Sequence, residues 1–442
     1  MNPPTSPAIG SDTSPSAQFG SDVELTPTGK FAVWSSIASI LFFNQIAYNI
    51  GEFPVASDLL CYTFFTFYLV ASGNAALSVP TLYLLTCTVA LAILRRPFSA
   101  SETSLSSLLL VVVAYTPFVF RLRRTADLRS IQDYILKAYV TAATVIAVIA
   151  VVQFVVVNVA KLDIFTNIYF VLPKEIRGAG TFTFLREEGG ITKANGFFLR
   201  EAAELSTVMA LALLIEYRQG IRPTVLALLS MGLVVSFSGS GLTVLALGLL
   251  LPRSISRIPV FVISALGALL LLYTLANLQI PGLDRWFSRL SELNTQNTSG
   301  YARFVAPWEM IRISFDRDVW TIWLGNGAGS FIRDVNLNRF GYEVSDPTWA
   351  KLTYEYGLAG LILVSAIVIT RLYSSALRVD ISHFYFFSWV IFPLVLKPSS
   401  ALMIWLLTLV PSSPRSFGQN DRSSRRTTPA AAGSAGTPLQ PS

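Results

Sequence analysis

Long apolar runs recur along the chain from residue 31 to residue 411, separated by short polar breaks and by two longer stretches at 158–201 and 278–348. They fall near 31–50, 54–72, 76–94, 104–120, 136–157, 202–217, 223–238, 240–251, 258–277, 349–370, 381–396 and 399–411. Most approach the roughly 20 residues that an α-helix needs to cross a hydrocarbon core, so the expected fold is all-α, a polytopic transmembrane bundle of about 12 helices. An even number of crossings returns both chain ends to one side. The run 240–251, preceded by Ser238, Gly239, Ser240 and Gly241, is too short to cross alone at about 1.5 Å per residue. A broken or partly re-entrant helix is one expectation there, with backbone amides freed toward an outer cavity.

Charge orients this bundle. From a cytoplasmic N-terminus, the even-numbered helices deliver Arg121, Arg123, Arg124 and Arg129, then Arg218 and Arg222, then Arg253 and Arg257, then Arg371 and Arg378 to the cytoplasm. The positive-inside rule is met at four successive loops. Arg95 and Arg96 fall on the opposite side, so either the rule is broken there or an early segment does not span. Residues 1–29 and 412–442 read as disordered cytoplasmic tails flanking a membrane domain over 30–411. The first is rich in Ser, Pro, Thr and Gly and lacks the basic start and hydrophobic core of a cleavable signal. Two longer loops, 158–201 and 278–348, then lie outside the cytoplasm and hold most of the remaining charge. Chemistry is expected in those loops.

Composition removes several function classes. Charged residues make up 13% of the chain and apolar residues 52%, where a soluble domain carries roughly 25% charge. The net charge of +7 follows from Arg at one face of a bilayer and calls for no nucleic acid partner. Cys61 and Cys87 lie in apolar runs and read as small core residues. With 2 Cys and 1 His, no soft-ligand metal cluster is expected, and no cofactor is called for.

Between 301 and 361, short motifs follow one another in a distinctive order. Arg303 and Trp308 stand in GYARFVAPWEM, Gly325, Gly327, Gly329 and Phe331 in WLGNGAGSF, and DPTWAKLTYEYGLAG opens the next apolar run. Upstream lie KANGFFLREAAELSTVMALALL and SFSGSGLTVLALGLLL. In order, spacing and membrane side these segments resemble the O-antigen ligase and polysaccharide polymerase family of bacterial cell-envelope assembly, over residues 120–370. The resemblance implies an inner-membrane enzyme that joins a polyprenyl-diphosphate-linked oligosaccharide donor to a glycan acceptor outside the cytoplasm, without nucleotide sugars. Membrane lipids, chain-length regulators and export proteins are the further partners it implies.

Members of that family that act as ligases carry a His eleven residues before the first Gly of a G-x-x-G ending. Counting back from Gly357 gives Asp346 here. The single histidine, His383, starts a later helix on the cytoplasmic side. This departure favours a polymerase of exopolysaccharide, capsule or O-antigen over a ligase that moves glycan to another acceptor. Lys193 stands where the family usually has Arg, which keeps the charge and loses the bidentate fork. A multi-pass transporter or flippase is the competing class, disfavoured by the lack of an evident half-to-half repeat and the scarcity of ionisable residues in mid-helix.

A donor already activated as a diphosphate needs cations for the leaving group, a group for the acceptor hydroxyl and an apolar groove for the polyprenyl tail. By the resemblance, Arg303 is the diphosphate ligand, with Lys193 and Arg200 sharing the charge. Contact with lipid headgroups is the alternative for each. Asp346 is the expected base or orienting acceptor, and an N-cap before Pro347 is its alternative. Glu201 and Glu204 share a helix face and are the other candidate bases, or else ion-pair partners of Arg200 and Arg303. The glycines Gly325, Gly327 and Gly329 lack the context of a nucleotide loop and form either a tight turn or a backbone-amide nest for phosphate. Trp286, Phe287, Trp308, Trp320 and Trp323 stack on sugars or anchor the loop in the headgroup zone.

Overall fold

The computed structural model describes residues 26–412 apart from 51–52, 100, 102, 124–127, 163–164, 178–186, 189–190, 253–255, 257, 278–293, 317 and 339. The tails expected at 1–29 and 412–442 lie almost wholly outside the described residues, as do Trp286 and Phe287.

The described chain is mostly helical. Helix α1 (Pro27–Leu41) leads through a hairpin of β1 (Ala47–Ile50) and β2 (Phe53–Ala56) into α2 (Ser57–Ala71). Then come β3 (Ala75–Leu77), α3 (Val79–Arg95), α4 (Leu105–Tyr115), β4 (Phe120–Leu122), which pairs with β3, and α5 (Leu128–Asn158). A hairpin of β5 (Glu187–Glu188) and β6 (Ile191–Thr192) precedes α6 (Ala202–Gln219), α7 (Pro223–Val235), α8 (Ser240–Leu250) and α9 (Ile258–Asn277). Four short helices follow, α10 (Ser299–Phe304), α11 (Ala306–Phe315), α12 (Val319–Leu324) and α13 (Ser330–Asn338). The chain closes with α14 (Thr348–Tyr373), α15 (Val379–Ile391) and α16 (Pro398–Leu407).

Among the described residues, Val79–Phe98, Leu128–Asn158 and Thr348–Tyr373 are long and apolar enough to cross a membrane. Apolar side chains cover more than the core face. On α2, Leu59, Tyr62, Phe65 and Leu69 are buried while Leu60, Phe64 and Phe67 stand exposed on the other side. A helix facing water keeps that second face polar, so the outward surface is one that lipid would cover. Inside, small residues bring helices into backbone contact. A Cβ at Gly232 of α7 would lie 3.0 Å from the Cβ of Ala147 on α5, and one at Gly241 of α8 would lie 2.1 Å from the Ser206 carbonyl oxygen of α6.

Polar contacts gather at two ends. At one, Arg121 donates to the carbonyls of Thr370 and Ser374, Arg371 donates to those of Phe120 and Thr408, and Arg218 pairs with Asp380 at 2.7 Å. These are arginines that the charge count assigned to the cytoplasm. At the other end lie the first hairpin, the stretch 193–204, the start of α8 and the short helices α10 to α13. Arg95 belongs to this second end. Its guanidinium is buried, donating to the Gly325 carbonyl at 2.8 Å and to Thr321 Oγ1 at 3.0 Å, with Asp318 3.8 Å away. Of the two arginines outside the positive-inside pattern, Arg95 is thus taken up by loop packing, while Arg96 is exposed.

Several apolar runs differ from the helices they form. The run 31–50 stops being helical at Leu41, because Asn44 and Gln45 turn inward and are buried. The short strand pairs also qualify the all-α expectation. The run 240–251 does not turn back on itself. Gly241 of α8 lies against Ser206 near the start of α6, whereas Gly248 approaches the Asp380 carbonyl, and Asp380 pairs with Arg218 at the end of α6. The helix therefore runs along α6 from one end toward the other, and the re-entrant expectation is corrected. Finally, α14 is interrupted at Gly357, whose φ is 67°.

Candidate functional site

Gln153 of α5 shapes the chain leading into α6. Its Oε1 accepts the amides of Asn195 and Gly196 at 3.1 and 2.9 Å, and its Nε2 donates to Asn195 Oδ1 at 2.8 Å. Gly196 has φ 73°, and a Cβ there would meet Ile146 at 2.7 Å. The resulting compact turn docks on the link between α1 and β1: Gln45 Nε2 donates to the Phe198 carbonyl at 2.8 Å, and Arg200 Nη2 donates to the Asn44 carbonyl at 2.9 Å. Arg200 is delivered to a fixed place by these bonds. Lys193, expected to share its role, sits at the start of the stretch, beside the backbone bond from Ala194 to Val235.

Six charges from four parts of the chain meet beside Arg200. Glu204, in the first turn of α6, accepts the Arg200 amide on Oε2 at 3.0 Å and the Lys397 ammonium on Oε1. Asp58 and Glu201 act electrostatically on both Arg200 and Lys397. Arg303 of α10 reaches in from the second loop, with Nη2 3.8 Å from Glu201 Oε2, Nη1 donating to Ser240 Oγ at 3.3 Å, and the guanidinium 5.7 Å from the Phe392 ring centre. The cluster holds three cations and three carboxylates. Burial, reinforced by Arg200, pulls the Lys397 ammonium down to about 7. Burial also lowers the Arg200 guanidinium, opposed by Asp58 and Glu201.

Sequence reasoning found Arg200, Glu201, Glu204 and Arg303 but missed Lys397 and Asp58. The signal was present. Asp58 is the one charge between Glu52 and Arg95, and Lys397 the one Lys, Arg, Asp or Glu between Asp380 and Arg415. A solitary charge in so long an apolar stretch marks a site unless a partner explains it.

Asp346 stands beside this cluster, since its neighbour Ser345 donates its amide to the carbonyl of Ala302, next to Arg303, at 2.9 Å. Its Oδ2 accepts from Lys351 Nζ at 2.7 Å. The N-cap position of α14 belongs to Pro347, with no side-chain capping bond, so the capping alternative is also corrected. The start of α14 is tied to the cluster by Thr348, which donates its amide and hydroxyl to the Phe392 carbonyl at 3.1 and 2.8 Å. Asp346→Asn should remove one of the two carboxylates, with Glu355 the other, that face the nearly buried Lys351 and lower stability by about 1–3 kcal/mol, while turnover per folded molecule changes only a few-fold. Thermal melting and specific activity of the purified variant check this. A normal melt with a hundredfold loss of turnover would return Asp346 to the reaction centre.

The glycine run is a turn. The amides of Gly325, Asn326 and Gly327 donate to the carbonyls of Thr321, Tyr354 and Glu355 at 2.9, 2.8 and 2.8 Å. Those donors are spent on the protein itself, and the Gly329 amide meets the buried Glu355 carboxylate, so of the two readings the run takes the tight turn, a clasp between the second loop and α14, and the substrate-binding role expected of Gly325, Gly327 and Gly329 is corrected. Trp308 lies against Trp349 with ring centres 4.7 Å apart and ring planes tilted by 40°, and it keeps an exposed face. Val319, Trp320 and Trp323 of α12 are all exposed, the disposition of an interfacial anchor. Among the described residues no group of His, Cys, Asp and Glu could hold a metal ion.

Compared with known proteins, the chain matches no protein-family model and no curated protein.

Proposed function

We propose that this chain is a polytopic inner-membrane polysaccharide polymerase of about 12 crossings, which joins polyprenyl-diphosphate-linked repeat units on the outer face of the membrane. The observation that carries this reading is the meeting of Arg200, Arg303 and Lys397 with Asp58, Glu201 and Glu204. It lies at the end of the helices that the arginine count assigns to the outside. Guanidinium and ammonium groups stabilise the diphosphate as it departs, and a neighbouring carboxylate takes the acceptor proton. The exposed face of the Trp308 and Trp349 pair offers a platform for a sugar ring. We place the base at Glu201 or Glu204 and not at Asp346, because those two carboxylates lie against Arg303, Arg200 and Lys397 in the cluster.

The test is incubation of the purified full-length chain with a fluorescent lipid-linked oligosaccharide, followed by electrophoresis of the glycan. A polymerase lengthens the glycan on its lipid. Transfer to a separate acceptor would make the protein a ligase, and an unchanged donor in the presence of folded protein would overturn the enzymatic reading.

A further inference from the structure

We propose, resting on the reading above, that Lys397 exchanges Glu204 for the donor's diphosphate, and that this exchange bares Glu204 Oε1 as the base for the acceptor hydroxyl. Three cations matched by three carboxylates exert little net pull on a dianion. Binding one therefore requires an internal ion pair to open. The Arg303 pair with Glu201 is already loose at 3.8 Å, and the Glu201 side chain is 45% exposed. The direct contact is between Lys397 and Glu204, whose side chains are 17% and 20% exposed, so a ligand can reach both.

The two oxygens of Glu204 have separate partners. Oε2 is held by the Arg200 amide at 3.0 Å, and Oε1 by Lys397. When Lys397 turns to the phosphates, Oε2 keeps its backbone donor and the carboxylate keeps its orientation, while Oε1 is left with a free lone pair. The step balances. The acceptor hydroxyl oxygen attacks C1 of the donor sugar and its proton passes to Glu204 Oε1. The bond from C1 to the phosphate oxygen breaks, and the electron pair leaves with the polyprenyl diphosphate, where Arg303 and Lys397 meet the added charge. While Lys397 is protonated, the pairing also ties base to donor: Glu204 is freed when an anion takes Lys397 from it.

Lys397 must be protonated to hold the diphosphate, whereas a sugar-bearing diphosphate diester has no proton to lose between pH 6 and pH 9. The probe is farnesyl-diphosphate-linked N-acetylglucosamine, titrated into the purified full-length chain across that range. Since Lys397 titrates near 7, wild-type affinity should fall roughly tenfold per pH unit above that point. Lys397→Arg should bind without this dependence, and Lys397→Met should bind weakly at every pH. Asp58, Arg200, Glu201 and Glu204 also face Lys397, and any slope left in the Arg variant belongs to them. Glu204→Gln should bind the probe more tightly, because the internal competitor is gone, while turnover falls by about 10²–10⁴-fold. A merely structural pair predicts the opposite sign, since losing it loosens the site. Equal slopes in wild type and Lys397→Arg, or weaker binding by folded Glu204→Gln, would overturn the exchange. Absence of probe binding by wild type at any pH would instead count against the polymerase reading itself.

Discussion

Arg303→Ala is expected to remove glycan polymerisation while leaving the amount of protein in the membrane close to wild type. The guanidinium is held by one long hydrogen bond to Ser240, a 3.8 Å approach to Glu201 and the Phe392 ring. Because Glu201 is substantially exposed, its removal strands no buried charge, and the fold loses little. The reaction loses more, since a preorganised donor aimed at developing negative charge is worth about 10²–10³-fold in rate. Arg303→Lys should recover part of the activity, one ammonium replacing a two-pronged donor. Activity per molecule in detergent, beside membrane abundance, reads both halves. Full activity in the Ala variant would remove Arg303 from the site.

The second large effect is structural. Gly357→Ala should abolish folded protein or lower its melting temperature steeply. Gly357 breaks α14 with φ 67°, and a Cβ there would sit 2.3 Å from the Trp323 carbonyl carbon and oxygen. Gly325 faces it with φ 73°, and a Cβ on that residue would lie 2.4 Å from the carbonyl carbon and oxygen of Glu355. Two backbones touch and neither can carry a side chain. Left-handed strain and overpacking together cost about 2–6 kcal/mol, a large share of the roughly 5–15 kcal/mol that holds a protein folded. Gly73→Ala is the control, since its φ is 72° but nothing lies within 4 Å of the added methyl. It should lose only the strain. A wild-type melt for Gly357→Ala would show that the clasp between the second loop and α14 does not hold the fold together.

Much of this was legible in the sequence, for reasons that also explain the misses. Apolar runs located the long helices because burial on all sides leaves a run of one kind of residue. They overran at Leu41, where buried Asn44 and Gln45 bend the chain to meet Phe198 and Arg200, a tertiary contact that no local pattern encodes. Arg200, Glu201, Glu204 and Arg303 stood out because each lies in or beside a polar loop. Lys397 and Asp58 did not, because each sits alone at the start of an apolar helix, where one charge reads as a helix boundary. Asp346 was drawn by its distance from Gly357 and by its place before Pro347 at a helix edge. That count could not see Lys351, one turn further along α14 and in contact with its carboxylate. The Gly325 to Gly329 run carried two readings until the carbonyls that its amides meet were known.

The central claim is that this chain lengthens a lipid-linked glycan at its cluster of Arg200, Arg303 and Lys397. The most direct measurement reconstitutes the full-length chain in proteoliposomes with a fluorescent polyprenyl-diphosphate-linked oligosaccharide and resolves the products by size over time. A ladder rising by whole repeat units on the lipid, absent with Arg303→Ala, is the predicted result. Donor of unchanged length in the presence of folded wild-type protein would contradict it.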